Sequence, residues 1–204
     1  MPNKTFFNLP KDKQVKIINA SKIEFSKYSF YDASINRIIK EAEISRGSFY
    51  QYFTNKEDLF IFILDSYKLN IIEWLKSEVY GKKNDIFEVY LLVYDYITNK
   101  SIIGKDKDFF ITTISNMDIK LTQYFMNFLK LEDIKDNSSP FNDLIDINNI
   151  KIKDPEKIIV LHNMLINIMI NQIVVFFSNI DNGKKCREEL IYKFELIKYG
   201  VNII

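Results

Sequence analysis

The sequence predicts an all-α fold of about nine helices, in which a small amino-terminal module precedes a larger helical body. Only 5 Gly and 4 Pro occur among 204 residues, so few positions interrupt a helix. Apolar residues recur at helical spacing along most of the chain, and no sustained alternation indicates a strand. An apolar content of 47% is enough for one domain and a smaller one. We expect these domains at residues 1–55 and 56–204.

The segment between residues 34 and 59 predicts two short helices joined by a tight turn. Four apolar residues share one face of the first helix at i, i+3, i+4 and i+7, namely Ile35, Ile38, Ile39 and Ala42. Ser34 is a suitable N-cap for that helix. The second helix begins at Ser45 and turns Phe49 and Phe53 inward onto the first.

Longer helices surround this pair. Thr54 and Glu57 predict a capping box for a helix that extends to about residue 80. Helical periodicity also covers about residues 10–27, 85–99, 107–130, 155–178 and 184–203, and the third of these ranges could break near Ser115. Residues 132–154 are polar and predict a loop.

Two helices this short and this closely joined are typical of a helix-turn-helix, whose second helix enters the major groove of DNA. Arg46 can bond guanine bidentately, and Gln51 can pair with adenine. Lys56 suits a phosphate. The candidate DNA contacts are Ser34, Arg46, Gly47, Ser48, Tyr50, Gln51, Tyr52 and Lys56. A three-helix protein-binding module with a polar outer helix is the alternative.

Basic residues are concentrated at the amino-terminal end. Residues 1–56 contain ten Lys or Arg and five Asp or Glu, a net charge of +5. The whole chain has a net charge of +1, which leaves −4 for residues 57–204. A basic module on a mildly acidic body fits local contact with DNA, although ordinary solvated helix faces have similar compositions.

At these residues the chain resembles the TetR family of bacterial transcription regulators. The resemblance is carried by SRGSFYQYF at residues 45–53 and KEDL at residues 56–59, and it covers about residues 10–60. The chain departs from the family pattern at three positions. Ser29 and Glu43 stand where the family usually has glycine, and Ile39 stands where it has alanine.

The resemblance implies that the larger domain binds a small-molecule ligand. Candidate cavity-lining residues are Tyr94, Phe110, Met117, Phe125, Met126, His162, Met164 and Asn167, although the same residue types also suit a closed core. No Cys, Asp or Glu lies at ligand spacing from His162, the only histidine, so we predict no metal site. Asn163, Asn167 and Asn171 recur every four residues. They could line a polar cavity, set the register of a dimer or form a solvent-facing edge.

The last helix carries a heptad-like apolar seam formed by Leu190, Phe194, Ile197 and Val201. With the apolar helix before it, this seam predicts a helical hairpin, and two such hairpins form a four-helix bundle. TetR-like proteins form dimers in this way, so the resemblance implies a homodimer. The alternative is that both helices complete the core of a monomer.

Other classes of protein find little support in the sequence. No catalytic triad, metal motif or phosphate-binding loop occurs, so we predict neither an enzyme nor a cofactor. Cys186 is the only cysteine, which excludes an intrachain disulfide. Residues 158–177 have the length of a membrane span, but polar side chains interrupt them. We expect no signal peptide, because the start, MPNKTFFNLPKDK, has no apolar h-region. We therefore expect a cytoplasmic protein without a membrane partner.

These observations lead to one leading hypothesis. The chain is expected to be a homodimeric transcription regulator, and specifically a repressor that a small-molecule effector releases from an inverted-repeat operator. Effector binding would shift the population toward a conformation with mis-spaced recognition helices. The alternative is a helical adaptor with a degenerate DNA-binding module that acts through protein partners.

Overall fold

The computed structural model describes residues 1–79, 84–100, 104, 106–128, 144–146, 149–178 and 182–200, and these ranges contain no β-strand. The helices are α1 (Lys4–Phe7), α2 (Lys11–Lys27), α3 (Ile35–Glu41), α4 (Arg46–Tyr52), α5 (Lys56–Glu78), α6 (Ile86–Asp95), α7 (Lys107–Ser115), α8 (Ile119–Phe128), α9 (Pro155–Ser178) and α10 (Gly183–Tyr199). A π-helical turn, Tyr96–Lys100, continues α6. The predicted all-α fold is therefore confirmed.

Packing divides the chain into two compact units. The first unit comprises Met1–Asn70 and Gly104–Asn116, and the second comprises Ile71–Ile103 and Met117–Ile204. Helix α5 contributes residues to both units, and α7 belongs to the first. The functional domains expected at residues 1–55 and 56–204 remain a prediction.

Aromatic side chains form the core of the first unit. The ring of Phe25 lies 4.8 Å from that of Phe60, and Phe60 lies 6.0 Å from Phe109 of α7, measured between centroids. Phe49 of α4 and Phe53 just after it are fully buried, as the sequence predicted. Burial of side chains this large supplies most of the free energy that holds such short helices in place.

The cap of α5 differs from the prediction. The amide of Asp58 donates to Oδ1 of Asn55 at 2.8 Å, and the amide of Thr54 donates to Oδ2 of Asp58 at 3.0 Å. The predicted capping box of Thr54 and Glu57 is therefore wrong by one residue. Asn55 can replace Thr54 as the N-cap of α5, because a short amide side chain caps a helix as well as a hydroxyl does.

The second unit is built around α6, α9 and α10. Leu165 and Ile166 of α9 and Leu190 of α10 are fully buried between these helices. Two ion pairs connect α10 to α6 or its N-cap: Arg187 binds Asp95 with bonds of 2.7 and 2.8 Å, and Lys198 binds Asp85 at 2.5 Å.

Helix α9 is, by length and composition, the one helix in the described ranges that could cross a membrane. One such helix is weak evidence, because a core helix of a soluble protein passes the same test. His162 and Gln172 of α9 are buried and hydrogen-bonded within the second unit. Most of the polar loop predicted at residues 132–154 lies outside the described residues.

Candidate DNA-binding interface and interior polar site

Helix α4 presents a polar face outward and an apolar face inward. Ser45 caps it, because Oγ of Ser45 accepts from the amide of Ser48 at 3.0 Å. Four of its residues are exposed, namely Arg46, Gly47, Tyr50 and Gln51, and Ser48 is half-buried. A Cβ on Gly47 would meet only Oγ of Ser45, at an ordinary 3.8 Å. Packing within the described part of the chain does not require a glycine there, and the predicted contact of Gly47 with DNA stays a prediction.

The guanidinium of Arg46 is held on the protein surface. Its Nη1 donates to Oδ1 of Asn36 at 3.0 Å, and the guanidinium carbon lies 5.9 Å from the centre of the Tyr50 ring. Asn36 is an exposed residue of α3 that sequence reasoning missed. The sequence places Asn36 beside Ile35 on the first short helix, which makes it a possible member of the interface. Its contact with Arg46 depends on how α3 and α4 cross, and no local pattern predicts that.

Tyr52 faces the interior. It is 6% exposed, and its ring lies 6.3 Å from that of Phe6. Little of the Tyr52 surface is therefore open to DNA. Its predicted phosphate contact stays a prediction, while its observed role is in the core.

Lys56 anchors the loop between α2 and α3. Its ammonium donates to the carbonyls of Tyr31 at 3.0 Å and Ala33 at 2.7 Å, and it lies 4.9 Å from the centre of the Phe30 ring. Burial lowers the pKa of Lys56. The predicted phosphate contact is untested, but the structure gives Lys56 a structural role that the sequence did not indicate.

A buried carboxylate organises the start of α3. Glu24 accepts from the amide of Ser34 at 2.7 Å and from Nη2 of Arg37 at 2.6 Å. The guanidinium of Arg37 also covers the Tyr28 ring at 4.0 Å. Ser34 occupies the predicted N-cap position, yet its side chain makes no capping bond. Glu24 thus orients the helix end at which Ser34 was predicted to contact DNA.

The turn between α3 and α4 contains the residue at which the chain departs from the family's glycine. Glu43 has a φ of +53°, in the left-handed region that favours glycine. Its carboxylate forms an ion pair with the ammonium of Lys16 on α2. That ammonium lowers the pKa of Glu43 through a hydrogen bond. The ion pair offsets part of the backbone cost of the turn.

The second unit contains a buried polar site between α6 and α9. The hydroxyl of Tyr90 lies 2.5 Å from Nδ1 of His162, and both residues are buried. Nε2 of His162 has no hydrogen-bond partner within the described residues. The hydroxyl of Tyr94 also has none there, but its ring lies 6.4 Å from that of Phe176, well beyond His162 on α9. Burial lowers the pKa of His162 to about 4, so this imidazole is neutral at pH 7. Burial also raises the pKa of both tyrosines, which stay protonated.

The other predicted cavity residues do not surround this site. Phe110 packs in the first unit, 4.6 Å from the Tyr67 ring. Met117 is partly exposed, Met164 is 48% exposed, and Asn167 is exposed with its amide bonded to the carbonyl of Asn163. Met164 and Asn167 lie on an exposed face of α9, and their predicted role in a cavity remains untested. The side chains of Phe125 and Met126 lie outside the described part of the chain.

The predicted dimer seam is mostly core. Leu190 and Phe194 are fully buried within the chain, and the ring of Phe194 contacts that of Phe87 at 5.8 Å. Both side chains pack within the chain and expose almost no surface to a partner. Their predicted place in a dimer interface remains untested. Ile197 is half-buried, and Val201 lies outside the described residues.

A different face of α9 remains exposed in the chain. It is formed by Val160, Met164, Asn167, Asn171 and Val175, which recur at helical spacing. The three apolar members are 47–58% exposed. Two members of the predicted asparagine stripe therefore lie on this outer face and not in the interior.

Two family models match separate parts of the chain. The family model described as "Bacterial regulatory proteins, tetR family" matches residues 17–62. The model described as "Tetracyclin repressor-like, C-terminal domain" matches residues 85–201.

Curated relatives cover part of the chain. The HTH-type transcriptional regulator HbdR of Aromatoleum sp. (strain CIB) is 34% identical over 67 residues, which are 31% of this chain and 29% of HbdR. The fatty acid metabolism regulator protein of Bacillus subtilis (strain 168) is 23% identical over 121 residues, which are 58% of this chain and 61% of that protein. The chain thus matches less than two thirds of the length of either relative.

Solved structures share the fold over nearly the whole chain. FadR from Bacillus subtilis, in complex with stearoyl-CoA, has a TM-score of 0.62 at 18% identity. FadR from Bacillus halodurans has a TM-score of 0.60 at 14% identity. Each comparison covers 92% of this chain and 99% of the other. Because the carboxy-terminal family match alone spans more than half of the sequence, the chain belongs to the TetR family of bacterial transcription regulators.

Proposed function

We propose that the chain is a DNA-binding transcription regulator that reads an inverted-repeat operator with the outer face of α4. The observation that carries this proposal is the exposure of Arg46, Gly47, Tyr50 and Gln51 opposite the buried Phe49, within a helix-turn-helix. Arg46 and Gln51 supply the bidentate groups that distinguish guanine and adenine. The family consists of regulators that are generally not enzymes, and its members work in the bacterial cytoplasm.

Selection of binding sites from random DNA tests this proposal. The intact protein should enrich a two-fold symmetric motif, with half-sites about 10 bp or a multiple of that apart. The double variant Arg46→Ala/Gln51→Ala should enrich no motif while keeping salt-dependent binding to any DNA. Enrichment of an asymmetric motif, or of the same motif by the variant, would contradict the assignment to α4.

We further propose that the outer face of α9 forms the dimer interface. Val160, Met164 and Val175 expose an apolar stripe, and Asn167 and Asn171 lie beside it. Polar groups at an otherwise apolar helix interface fix its register at some cost in stability. Met164→Asp places an unpaired charge in that surface and should yield a folded monomer by light scattering. Val15→Asp, at a similarly exposed apolar residue of α2, is the control and should remain dimeric.

The buried polar site is our proposed contact for an effector. Nε2 of His162 lacks a partner in the described chain, and an orphaned buried polar atom is costly unless something binds it. Tyr90 and His162 are both neutral at pH 7, so we expect them to contact an uncharged polar group. The rest of the ligand should be apolar, because aliphatic and aromatic core residues surround the site. The chain would then be a repressor that this ligand releases.

Substitutions in the interior of the second unit test the effector site. Tyr94→Phe removes a hydroxyl without a partner, so the ligand-free protein should keep or gain stability. Tyr90→Phe removes the hydrogen bond to His162 and should destabilise the ligand-free protein. Stearoyl-CoA is the first ligand to test, because a structural neighbour binds stearoyl-CoA and its thioester carbonyl is an uncharged polar group. A ligand that raises Tm should also release DNA. His162→Gln should reduce the Tm shift, whereas Tyr94→Phe should keep it. Equal Tm shifts in wild type and His162→Gln would place the ligand elsewhere.

A further inference from the structure

The amino-terminal arm, defined here as residues 1–9, packs against the end of the recognition helix. It precedes residues 17–62, the range of the amino-terminal family match, and it contains α1, which the sequence did not predict. Phe6 of the arm is 1% exposed, and its ring lies 4.9 Å from that of Phe53 and 5.5 Å from that of Phe62. The arm is thus fixed to the first unit by a buried aromatic residue.

Polar groups of the arm bond to the last carbonyls of α4. The amide of Asn3 donates to the carbonyl of Tyr52 at 2.8 Å. The side-chain amide of Asn3 donates to the carbonyl of Gln51 at 3.2 Å, and the hydroxyl of Thr5 donates to the same carbonyl. The final carbonyls of a helix have no donor within the helix, so Asn3 and Thr5 supply hydrogen-bond donors to the last carbonyls of α4.

Helix α4 needs such support because it has only seven residues. Two turns of helix are unstable alone, and their position depends on external contacts. Ser45 fixes the first turn and Phe49 fixes the inner face, whereas the arm holds the carboxyl end. Gln51, a proposed base-reading residue, offers its own carbonyl to the arm.

We propose that Asn3, Thr5 and Phe6 are positioning residues that set the sequence specificity of α4. This inference rests on the proposed reading of DNA by α4. Specific recognition needs side chains within hydrogen-bonding geometry of base edges, whereas non-specific binding needs only positive charge near phosphates. Loosening the carboxyl end of α4 should therefore reduce specific affinity and leave non-specific affinity and its salt dependence unchanged.

The experiment compares four variants on the DNA that the intact protein selects and on a scrambled duplex. Thr5→Val keeps the shape of the side chain and removes its hydroxyl, and Thr5→Ser restores a hydroxyl. Asn3→Ala removes the amide. Asn8→Ala is the control, because the exposed Asn8 side chain forms no hydrogen bond with the described residues. We expect Thr5→Val and Asn3→Ala to lower the ratio of specific to non-specific affinity roughly five- to tenfold, the equivalent of one net hydrogen bond. Thr5→Ser and Asn8→Ala should match the wild type.

Amide hydrogen exchange supplies a readout that does not depend on DNA. The amide of Phe53 donates to the carbonyl of Phe49 at 2.9 Å and reports on the last turn of α4. Its exchange should accelerate in Thr5→Val and not in Asn8→Ala. If the wild type selects no DNA, the proposed function fails while the exchange result still tests the arm. Unchanged exchange in Thr5→Val, or equal losses of specific and non-specific affinity, would overturn the positioning role.

Discussion

Helix α4 and the interior of the second unit place their functional side chains in opposite directions. In α4, polar residues face solvent and the aromatic Phe49 faces the core. Between α6 and α9, the polar groups of Tyr90, Tyr94 and His162 face inward. The first arrangement suits a large external partner, and the second suits a ligand small enough to enter a protein. A regulator that a ligand releases from DNA, as we propose, needs both sites. The ligand acts only if its binding changes the affinity of the other site for DNA.

The difference also explains where single substitutions should act. An outward site can lose a side chain without losing the fold, since its residues bury little surface. An inward site shares its residues with the core, so function and stability change together. The predictions below test this contrast from the largest expected effect to the smallest.

Adjacent residues of α4 give the largest contrast. Phe49→Ala should lower the free energy of unfolding by about 3–5 kcal/mol, because it removes a fully buried aromatic side chain. Tyr50→Ala removes an exposed ring and should change it by less than about 0.5 kcal/mol. Chemical denaturation measures both. Comparable losses in the two variants would show that α4 has no distinct outer face.

Protonation of His162 gives the next largest effect. Burial lowers its pKa from 6.5 to about 4, so between these pH values the unfolded chain binds a proton that the folded chain does not. The free energy of unfolding should therefore fall as pH drops from 6.5 to 4, by up to ~3 kcal/mol from this group. Denaturation curves at a series of pH values measure this change.

His162→Gln is the matched variant for that measurement. It keeps a neutral, hydrogen-bonding side chain and removes the titrating group, so its stability should depend less on pH in this range. Carboxylates contribute equally to both proteins and cancel in the difference. A parallel pH dependence in the two proteins would mean that water reaches the imidazole.

Two cations that look alike in the sequence should behave differently. Arg46→Ala should cost about 1–3 kcal/mol of discrimination at one base pair, with Tm unchanged, because the guanidinium is exposed. Lys56→Ala should lower Tm, because it leaves the carbonyls of Tyr31 and Ala33 without their ammonium donor. Calorimetry and binding titrations separate these effects. An unchanged Tm in Lys56→Ala would contradict the structural role of the ammonium.

The two regions also differ in how far the sequence could predict them. The buried face of α4 followed from residues four apart in one short segment, and Phe49 and Phe53 are buried as expected. The bond between Tyr90 and His162 joins residues 72 positions apart, which no local pattern indicates. Leu190 and Phe194 form an apolar seam in either a core or an interface, and periodicity cannot distinguish the two. Their neighbours in space decide which it is.

The arm illustrates the same limit at short range. Phe6 lies in a segment too short and polar for helical periodicity to detect, yet its ring completes the aromatic cluster around Phe53. The misplaced cap at Thr54 has a related cause. Thr54 and Asn55 are both good caps, and only the course of the chain after α4 selects Asn55.

The smallest predicted effect concerns the turn between α3 and α4. There the stabilising ion pair of Glu43 with Lys16 nearly cancels the cost of a positive φ at a non-glycine residue. Glu43→Ala removes the ion pair with Lys16 and keeps a non-glycine residue at φ +53°, so it should lower Tm. Glu43→Gly also removes the ion pair but relieves the backbone, so its Tm should exceed that of Glu43→Ala by a few degrees. Lys16 lowers the pKa of Glu43, and the ion pair therefore stabilises the fold above pH 4.5 and is lost as the carboxylate is protonated below it. Calorimetry of both variants at neutral pH and near pH 3 separates the contribution of the ion pair from that of the backbone. At low pH the Tm of the wild type should approach that of Glu43→Ala. The difference in Tm between Glu43→Ala and Glu43→Gly should be the same at both pH values. If Glu43→Gly melts below Glu43→Ala, the turn does not adopt a left-handed conformation in solution.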